Sequence, residues 1–316
     1  MHDKHQRKFT NFDNINPNST TMNTTETPNS APAPQQHNGT SQAHHAHPVA
    51  TAPQTESDPL PTKPCNAWFD DAKAMPPVTP LFDVFWSKGE LAFLFGETGV
   101  GKSILAVQIA DAISKGAKIQ GFDGPQEPMR VGYFDFEHST CQFLRRYSDG
   151  SGNIHDFSPN FLRAEINVRA ILKGHDILEG IEEEIIKHRI EVAVIDSLTH
   201  LPIFITEKTN ARSIMRRLHL IKSRQNISML VVGHSMRQDL SQPITEYDLV
   251  CSIFCDSAFA IGESAKEKNV RYLKQIKTGS ARLRYDIGYA AVFRLVKRNR
   301  FIGFEHIDFD CEYEHL

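Results

Sequence analysis

The sequence predicts an α/β fold with a mainly parallel central sheet, flanked by helices and extended by antiparallel strands at one edge. The first observation is that short apolar runs typical of buried strands alternate with amphipathic helical segments between residues 90 and 235. The second is that strands and helices interleaved in this way form right-handed βαβ units, which build parallel sheets. The third is that the strand-like segments after residue 257 follow one another closely, which leaves little room for crossover helices and favours antiparallel pairing.

The individual elements follow from periodicity. Apolar or alternating runs predict strands at residues 90–96, 129–137, 191–198, 227–235, 257–264 and 270–277, with further strands within 281–310. One apolar face opposite a polar face predicts helices at residues 102–115, 176–189 and 210–225. Residues 64–80 contain prolines and aspartates and are predicted to be a loop, anchored to the domain by Trp68 and Phe69.

Residues 1–60 differ in composition from the rest of the chain. They are rich in Asn, Thr, Pro, Gln and His and have almost no aliphatic periodicity. Such a segment buries too little apolar surface to offset its ordering entropy, so we expect a disordered tail. Residues 61–316 then form a single domain, within the usual size of an α/β fold.

Composition narrows the classes of function. No apolar run reaches the ~18 residues of a spanning helix, and the N-terminus lacks the apolar region of a signal peptide, so we expect a cytoplasmic protein without a membrane partner. Five cysteines at irregular spacing indicate reduced thiols rather than a disulfide framework. The net charge of −3 gives no global case for nucleic-acid binding. The Lys- and Arg-rich segment 271–300 is either a solvated face or a surface that faces phosphate or a neighbouring subunit.

The stretch GETGVGKS, residues 96–103, matches every fixed position of the phosphate-binding pattern G-x-x-x-x-G-K-[ST]. It lies between a predicted buried strand and a predicted amphipathic helix, which is the context this loop requires. Its glycines let backbone N–H groups approach the β- and γ-phosphates, Lys102 supplies a cation, and the Ser103 hydroxyl takes a position on Mg²⁺. The sequence therefore predicts ATP and Mg²⁺ as bound groups. The residues expected to hold the nucleotide are Gly96, Glu97, Thr98, Gly99, Val100, Gly101, Lys102, Ser103 and Ile104.

Two carboxylates at strand ends complete the predicted site. Asp196 ends an apolar strand and would hold Mg²⁺ through water, together with Ser103. Many ATPases place a glutamate directly after this aspartate, but Ser197 follows here, so the catalytic base must come from elsewhere. Glu137 stands at the carboxyl end of the second predicted strand, where open α/β sheets bind ligands, and could accept a proton from the attacking water. Asp135 is expected deeper on the same face of that strand, and His138 is expected to point the other way.

These motifs together resemble the RecA-like ATPases, in particular the hexameric helicase ATPases of DnaB and RepA type from replicons and mobile elements. The resemblance covers roughly residues 78–285 and rests on the phosphate-binding loop, YFDFE at the end of the second strand, VAVID and VVGHS. It implies that the sheet is that of a RecA-like P-loop NTPase, that Glu137 is the catalytic base, and that His234 senses the γ-phosphate.

The resemblance also implies basic residues that reach the nucleotide of the neighbouring subunit from the end of a late strand. Lys274 and Lys277 fit this location, with Arg282 behind them. The family's usual Lys-x-Arg pair is not matched, because Ile276 and Gly279 occupy the second positions after these lysines. A mobile DNA-facing loop is implied at residues 236–252.

The sequence thus predicts a Mg²⁺-dependent ATPase that assembles into a ring, expected to be hexameric, and acts on DNA in replication or mobilisation. Single-stranded DNA and replication or mobilisation proteins are the expected partners. One alternative is a non-motor ATP-binding switch or scaffold whose oligomerisation is controlled by nucleotide. A further alternative, a small-molecule phosphotransferase, requires an arginine-rich lid that the sequence does not clearly provide.

Overall fold

The helices form where the sequence offers one apolar face or a good capping residue. The computed structural model describes residues 60–165, 167, 169, 173, 175–197, 211–234, 253–279 and 283–316. Its helices are α1 (Cys65–Ala74), α2 (Lys102–Lys115), α3 (Thr140–Arg146), α4 (Ile177–His188) and α5 (Ala211–Gln225). Helix α2 ends at Gly116, whose left-handed φ of 63° is the conformation that favours glycine after a helix. Helix α4 begins after Asp176, whose carboxylate accepts the N–H groups of Leu178 and Glu179.

The described strands form one large sheet and a small hairpin. They are β1 (Pro80–Phe82), β2 (Trp86–Ser87), β3 (Leu91–Phe95), β4 (Val131–Asp135), β5 (Phe161–Glu165), β6 (Val192–Asp196), β7 (Ser228–Val232), β8 (Ser257–Glu263), β9 (Val270–Lys277), β10 (Ala290–Arg298) and β11 (Phe301–Asp310). The large sheet has the order β11-β10-β9-β8-β3-β7-β6-β4-β5. The strands from β8 to β5 are parallel, and β9, β10 and β11 pair antiparallel at the other edge. The predicted fold class is confirmed.

Apolar layers cover both faces of this sheet. Helix α2 packs on one face with an aromatic cluster from β10, β11 and the segment after α2, while α4 and α5 pack on the other. Every residue of β3, β4, β6 and β7 is buried, which explains why these strands are nearly continuous apolar runs. Because the parallel strands end at one edge, the segments that follow β3, β4, β6 and β7 meet there.

Five described elements differ from the predictions: the strands β1 and β2, which were not predicted, and α1, α3 and β5. Residues 65–74 form helix α1 rather than a loop, and Trp68 and Phe69 are 44% and 57% exposed, so the prediction that they anchor this segment is wrong. Helix α3 and strand β5 were not predicted. Strand β5 pairs with β4 at the edge of the sheet and is only partly buried, so it lacks the apolar run of an inner strand.

Residues 66–316 form one compact unit, and the described cysteines are free thiols. No described helix is long and apolar enough to cross a lipid bilayer. The predicted tail up to residue 59, the predicted DNA-facing loop at 236–252, and Arg282 lie outside the described residues.

Candidate active site

The glycines of the phosphate-binding loop, residues 96–103, are required for two different physical reasons. Gly99 and Gly101 have φ values of 85° and 106°, a left-handed conformation that strains other residues. Gly96 has no such φ, but a Cβ atom there would lie 2.3 Å from the carbonyl oxygen of Ile261 on β8. Close packing against the neighbouring strand therefore excludes a side chain at Gly96, while backbone conformation favours glycine at the other two positions.

The side chain of Lys102 lies folded into the loop. Its Nζ donates hydrogen bonds to the carbonyl oxygens of Gly96, at 2.9 Å, and Glu97, at 2.7 Å, and the residue is only 5% exposed. The ammonium group therefore lies inside the loop, at the place where this type of loop binds phosphate oxygens. Binding of an anion there would let Lys102 exchange a carbonyl for a charge-assisted hydrogen bond.

Ser103 and Asp196 meet at the start of α2 and the end of β6. The Ser103 hydroxyl donates to Oδ1 of Asp196 at 3.2 Å, and the hydroxyl of Tyr133 on β4 donates to Oδ2. Asp196 is fully buried, and burial raises its pKa to about 6 against the opposing effect of these two hydrogen bonds. Hydroxyl and carboxylate oxygens are the ligands that Mg²⁺ prefers, so this pair fits the predicted cation.

The turn that carries Glu137 is held in place by hydrogen bonds with Asp135 and Arg163. One carboxylate oxygen of Asp135 accepts the backbone N–H groups of Glu137, at 3.1 Å, and His138, at 2.8 Å. The guanidinium group of Arg163 on β5 donates to the other oxygen at 2.9 and 3.0 Å and to the carbonyl of His138 at 2.5 Å. Burial acts to raise the pKa of Asp135, but the hydrogen bonds from His138 and the charge of Arg163 keep that pKa below its ordinary value. Asp135 is thus a fixed anion that shapes the turn, while Glu137 is exposed above it.

The prediction that His138 points away from this group is wrong. Its Nδ1 lies 3.4 Å from Oδ1 of Asp135, because the turn after β4 folds the imidazole back over the strand end. A donor atom of His138 and carboxylate oxygens of Glu137 and Asp196 all lie within 4.8 Å of one another. The strand end therefore carries an imidazole beside the predicted base and the predicted metal ligand.

One cleft brings together half of the predicted site residues. It encloses about 90 Å³, and its lining residues are Gly99, Gly101, Lys102, Ser103, Ile104, Glu137, Arg146 and His234. His234 follows β7, and its Nδ1 lies 3.4 Å from the hydroxyl of Thr98 in the loop. Arg146, at the last position of α3, was not predicted. The capping box formed by Ser139 and Gln142 is the sequence signal that would have revealed its helix.

Neither of the two lysines expected to reach a neighbouring subunit lines this cleft. Lys274 is 4% exposed, and its Nζ donates to Oε2 of Glu312 at 2.6 Å. Lys277 is half-buried, and its Nζ donates to the carbonyl oxygen of Cys255 at 2.5 Å. Burial against a carboxylate does not favour Lys274 for contact with another chain, and the role of Lys277 stays a prediction.

Comparison with known families agrees with this arrangement. A sequence model for the AAA domain, AAA_25, matches residues 56–239, more than half of the chain. The chain belongs to this AAA domain family. With its phosphate-binding loop between β3 and α2, it is a RecA-like P-loop ATPase of the AAA_25 type.

Two solved structures were found to be similar at low sequence identity. The KaiC-like protein of Pyrococcus horikoshii OT3 is 14% identical, with a TM-score of 0.52 over 72% of this chain and 99% of that one. The flagellar accessory protein FlaH of Methanocaldococcus jannaschii is 17% identical, with a TM-score of 0.48 over 69% of this chain and 90% of that one. No curated protein matches the chain at a significant level. The likeness in fold rests on the first of these structures.

Proposed function

We propose that this AAA domain protein hydrolyses ATP in the cleft at the carboxyl edge of the parallel strands, with Glu137 as the catalytic base. The observation that supports it is the meeting of Lys102, Ser103, Asp196 and Glu137 around one cleft, although they come from segments far apart in the chain. A triphosphate bound by the loop would place its γ-phosphate near the exposed carboxylate of Glu137.

Each residue of the cleft has a chemical task in this proposal. Glu137 accepts a proton from the attacking water and orients it, and the Asp135–Arg163 brace keeps that carboxylate in place. Lys102 and the amides of the loop bind the β- and γ-phosphates. Arg146 and His234 line the same cleft and can donate hydrogen bonds to phosphate oxygens, so charge that develops there is stabilised.

Mg²⁺ is the cation that we propose for the pair Ser103 and Asp196. When bound, the cation would neutralise charge on the phosphates and help to orient them. Asp196 can ligate only in its ionised form, and its hydrogen bonds from Ser103 and Tyr133 favour that form despite burial.

The finer proposal is a ring-forming motor of the DnaB and RepA helicase type that acts on DNA in replication or mobilisation. It rests on the order of motifs along the chain: the loop, the glutamate after β4, the aspartate ending β6 and the histidine after β7. In such an assembly nucleotide would bind at subunit boundaries, and single-stranded DNA would stimulate turnover.

Replacing Glu137 by Gln tests the assignment of the base. We expect Glu137→Gln to bind a fluorescent ATP analogue as the parent does and to turn over ATP at least about 10²-fold more slowly. Glu127→Gln is the matched control, because Glu127 is an exposed glutamate outside the cleft. Parental turnover in Glu137→Gln, measured by phosphate release, would show that the base lies elsewhere.

The second candidate function is an ATP-binding switch or scaffold. The observation that favours it is the burial of Lys274 against Glu312, which leaves one of the two candidate trans-acting lysines engaged within its own chain. We expect a motor to show DNA-stimulated turnover, and a switch to show ATP-dependent assembly with turnover that DNA does not change. Turnover with and without single-stranded DNA, together with the mass in solution with a non-hydrolysable analogue, distinguishes the two.

A further inference from the structure

The turn between β10 and β11 and the C-terminal end of α3 form one basic surface, which we call the hairpin-tip surface. Its residues are Arg145, Arg146, Lys297, Arg298 and Arg300. Two hydrogen bonds hold the turn against α3 and against the segment that follows α3. Nζ of Lys297 donates to the carbonyl oxygen of Arg145 at 3.0 Å, and Nη1 of Arg300 donates to the carbonyl oxygen of Ile154 at 3.0 Å. Segments about 150 residues apart in the chain are therefore joined at a surface defined by positive charge.

The charge of this surface is largely uncompensated. Arg298 pairs with Glu305, with its Nη2 2.6 Å from Oε2. Among the described residues, no carboxylate lies within 4.0 Å of the charged nitrogens of the other four members. Asp149 is close enough for Arg300 to contribute to its lowered pKa, but its carboxylate is bonded first to Asn153 and Ser151. The surface thus keeps most of its positive charge.

The two hydrogen bonds explain why Lys297 and Arg300 lie where they do. They do not explain why five basic side chains are collected on this surface. Each hydrogen bond uses one N–H of its side chain, Lys297 or Arg300. The other N–H donors and the full positive charge of both side chains remain able to bind an anion. Arg145, Lys297 and Arg300 are exposed. Arginine is the residue that binds phosphate with two parallel hydrogen bonds, and three of these members are exposed or half-buried arginines outside any ion pair in the described chain.

We propose that the hairpin-tip surface binds the phosphate backbone of a nucleic acid. This inference rests on the DNA-directed part of the proposed function and locates the DNA-binding site on the molecule. Arg146 links the two sites, because it belongs to this surface and also lines the ATP cleft. Nucleic acid bound here would lie next to the nucleotide.

Neutralising two exposed members tests the inference without touching the cleft. The variant carries Arg145→Gln and Arg300→Gln, and its matched control carries Lys88→Gln and Lys268→Gln, which remove two exposed cations elsewhere. Binding of labelled single-stranded and duplex DNA is measured by anisotropy from low to moderate salt. For single strands we expect the salt slope to fall by about 1.4 and the affinity at 0.1 M salt to fall roughly 10- to 30-fold, since each lost phosphate contact removes ~0.7 of a released counterion.

The outcomes separate this inference from the proposed function. Unchanged DNA affinity and slope in the Arg145/Arg300 variant, or an equal loss in the control, would overturn the surface while leaving a DNA-directed ATPase intact. Failure of the parent protein to bind either form of DNA at low salt would overturn both the surface and the DNA-directed role. Binding of anionic lipid vesicles with no binding of DNA would likewise overturn the proposal that this surface binds nucleic acid. Turnover of ATP without DNA should be the same in parent, variant and control, and shows that each is folded.

Discussion

Two lysines are buried, one at the start of α2 and one in β9, and they differ in what they contact. Lys102, 5% exposed, donates to backbone carbonyls of the phosphate-binding loop, whereas Lys274, 4% exposed, donates to the carboxylate of Glu312, itself 3% exposed. A carbonyl contact can be exchanged for a phosphate oxygen, because the loop stays near solvent. A carboxylate abandoned in the interior would be an uncompensated charge. Burial alone therefore does not indicate that a lysine binds nucleotide. The group that its Nζ contacts is the better indicator.

The largest effect should come from removing the lysine of the loop. We expect Lys102→Ala to lose ATP binding or turnover, with turnover reduced at least about 10³-fold, because the loop loses the cation that lies among its own carbonyl groups, whereas Arg146 lines the cleft from α3 and not from the loop. Equilibrium binding of a fluorescent ATP analogue and phosphate release measure the two steps separately. The free energy of unfolding should fall by less than for Lys274, since the two hydrogen bonds described for Nζ of Lys102 go to backbone carbonyls near solvent.

Lys118→Ala is the matched control for this variant. Lys118 is exposed and forms a surface ion pair with Asp123 at 2.8 Å, a type of contact that contributes little to stability. Its loss should leave ATP binding and turnover at the parental level. Hydrolysis by Lys102→Ala at the parental rate would contradict the role given to the phosphate-binding loop.

The lysine of β9 should show the reverse pattern. We expect Lys274→Ala to lower the free energy of unfolding by roughly 3–5 kcal/mol, because it leaves Glu312 buried and unpaired. Once stability is restored at low temperature, ATP binding should persist. Urea unfolding followed by far-UV circular dichroism measures the stability, and the fluorescent analogue measures the binding.

The double variant Lys274→Met with Glu312→Leu sharpens this comparison. It removes both charges and fills the space with apolar side chains, so most of the lost stability should return. If Lys274→Ala is as stable as the parent but abolishes turnover in the assembled protein, the lysine acts on nucleotide and its ion pair is only a resting contact.

The same distinction explains how far sequence could predict this site. The bounds of α2 and the places of Ser103, Glu137 and Asp196 follow from the loop motif and from parallel strands that end at one edge. Arg163 could not be found in this way. It braces the turn of Glu137 through Asp135, 28 residues earlier in the chain, and it lies on an edge strand that lacks the continuous apolar run of the inner strands. Likewise, the pairing of Lys274 with Glu312 depends on how the C-terminal turn packs.

The smallest expected effect concerns the tyrosine that holds Asp196. The hydrogen bond from Tyr133 lowers the pKa of Asp196, which burial raises to about 6. Protons compete with Mg²⁺ for this carboxylate, so Mg²⁺-dependent ATP binding should weaken as the pH falls through about 6. Tyr133→Phe removes the hydrogen bond and should move that midpoint to higher pH by on the order of one unit. Titration of Mg²⁺-dependent binding of the fluorescent analogue between pH 5 and 8 would measure the shift.

Tyr147→Phe provides the matched control, because it removes a buried hydroxyl that has no hydrogen-bond partner in the part of the chain described. Its pH midpoint should equal that of the parent, and its stability should be equal or higher, since an unsatisfied polar group has been removed. A midpoint in Tyr133→Phe that is unchanged or moved to lower pH would mean that Tyr133 does not stabilise the ionised carboxylate. The ionised form of Asp196 would then be stabilised by Ser103 and by the bound cation. Asp196 would differ even more from Glu312, whose charge is stabilised by the ion pair with Lys274.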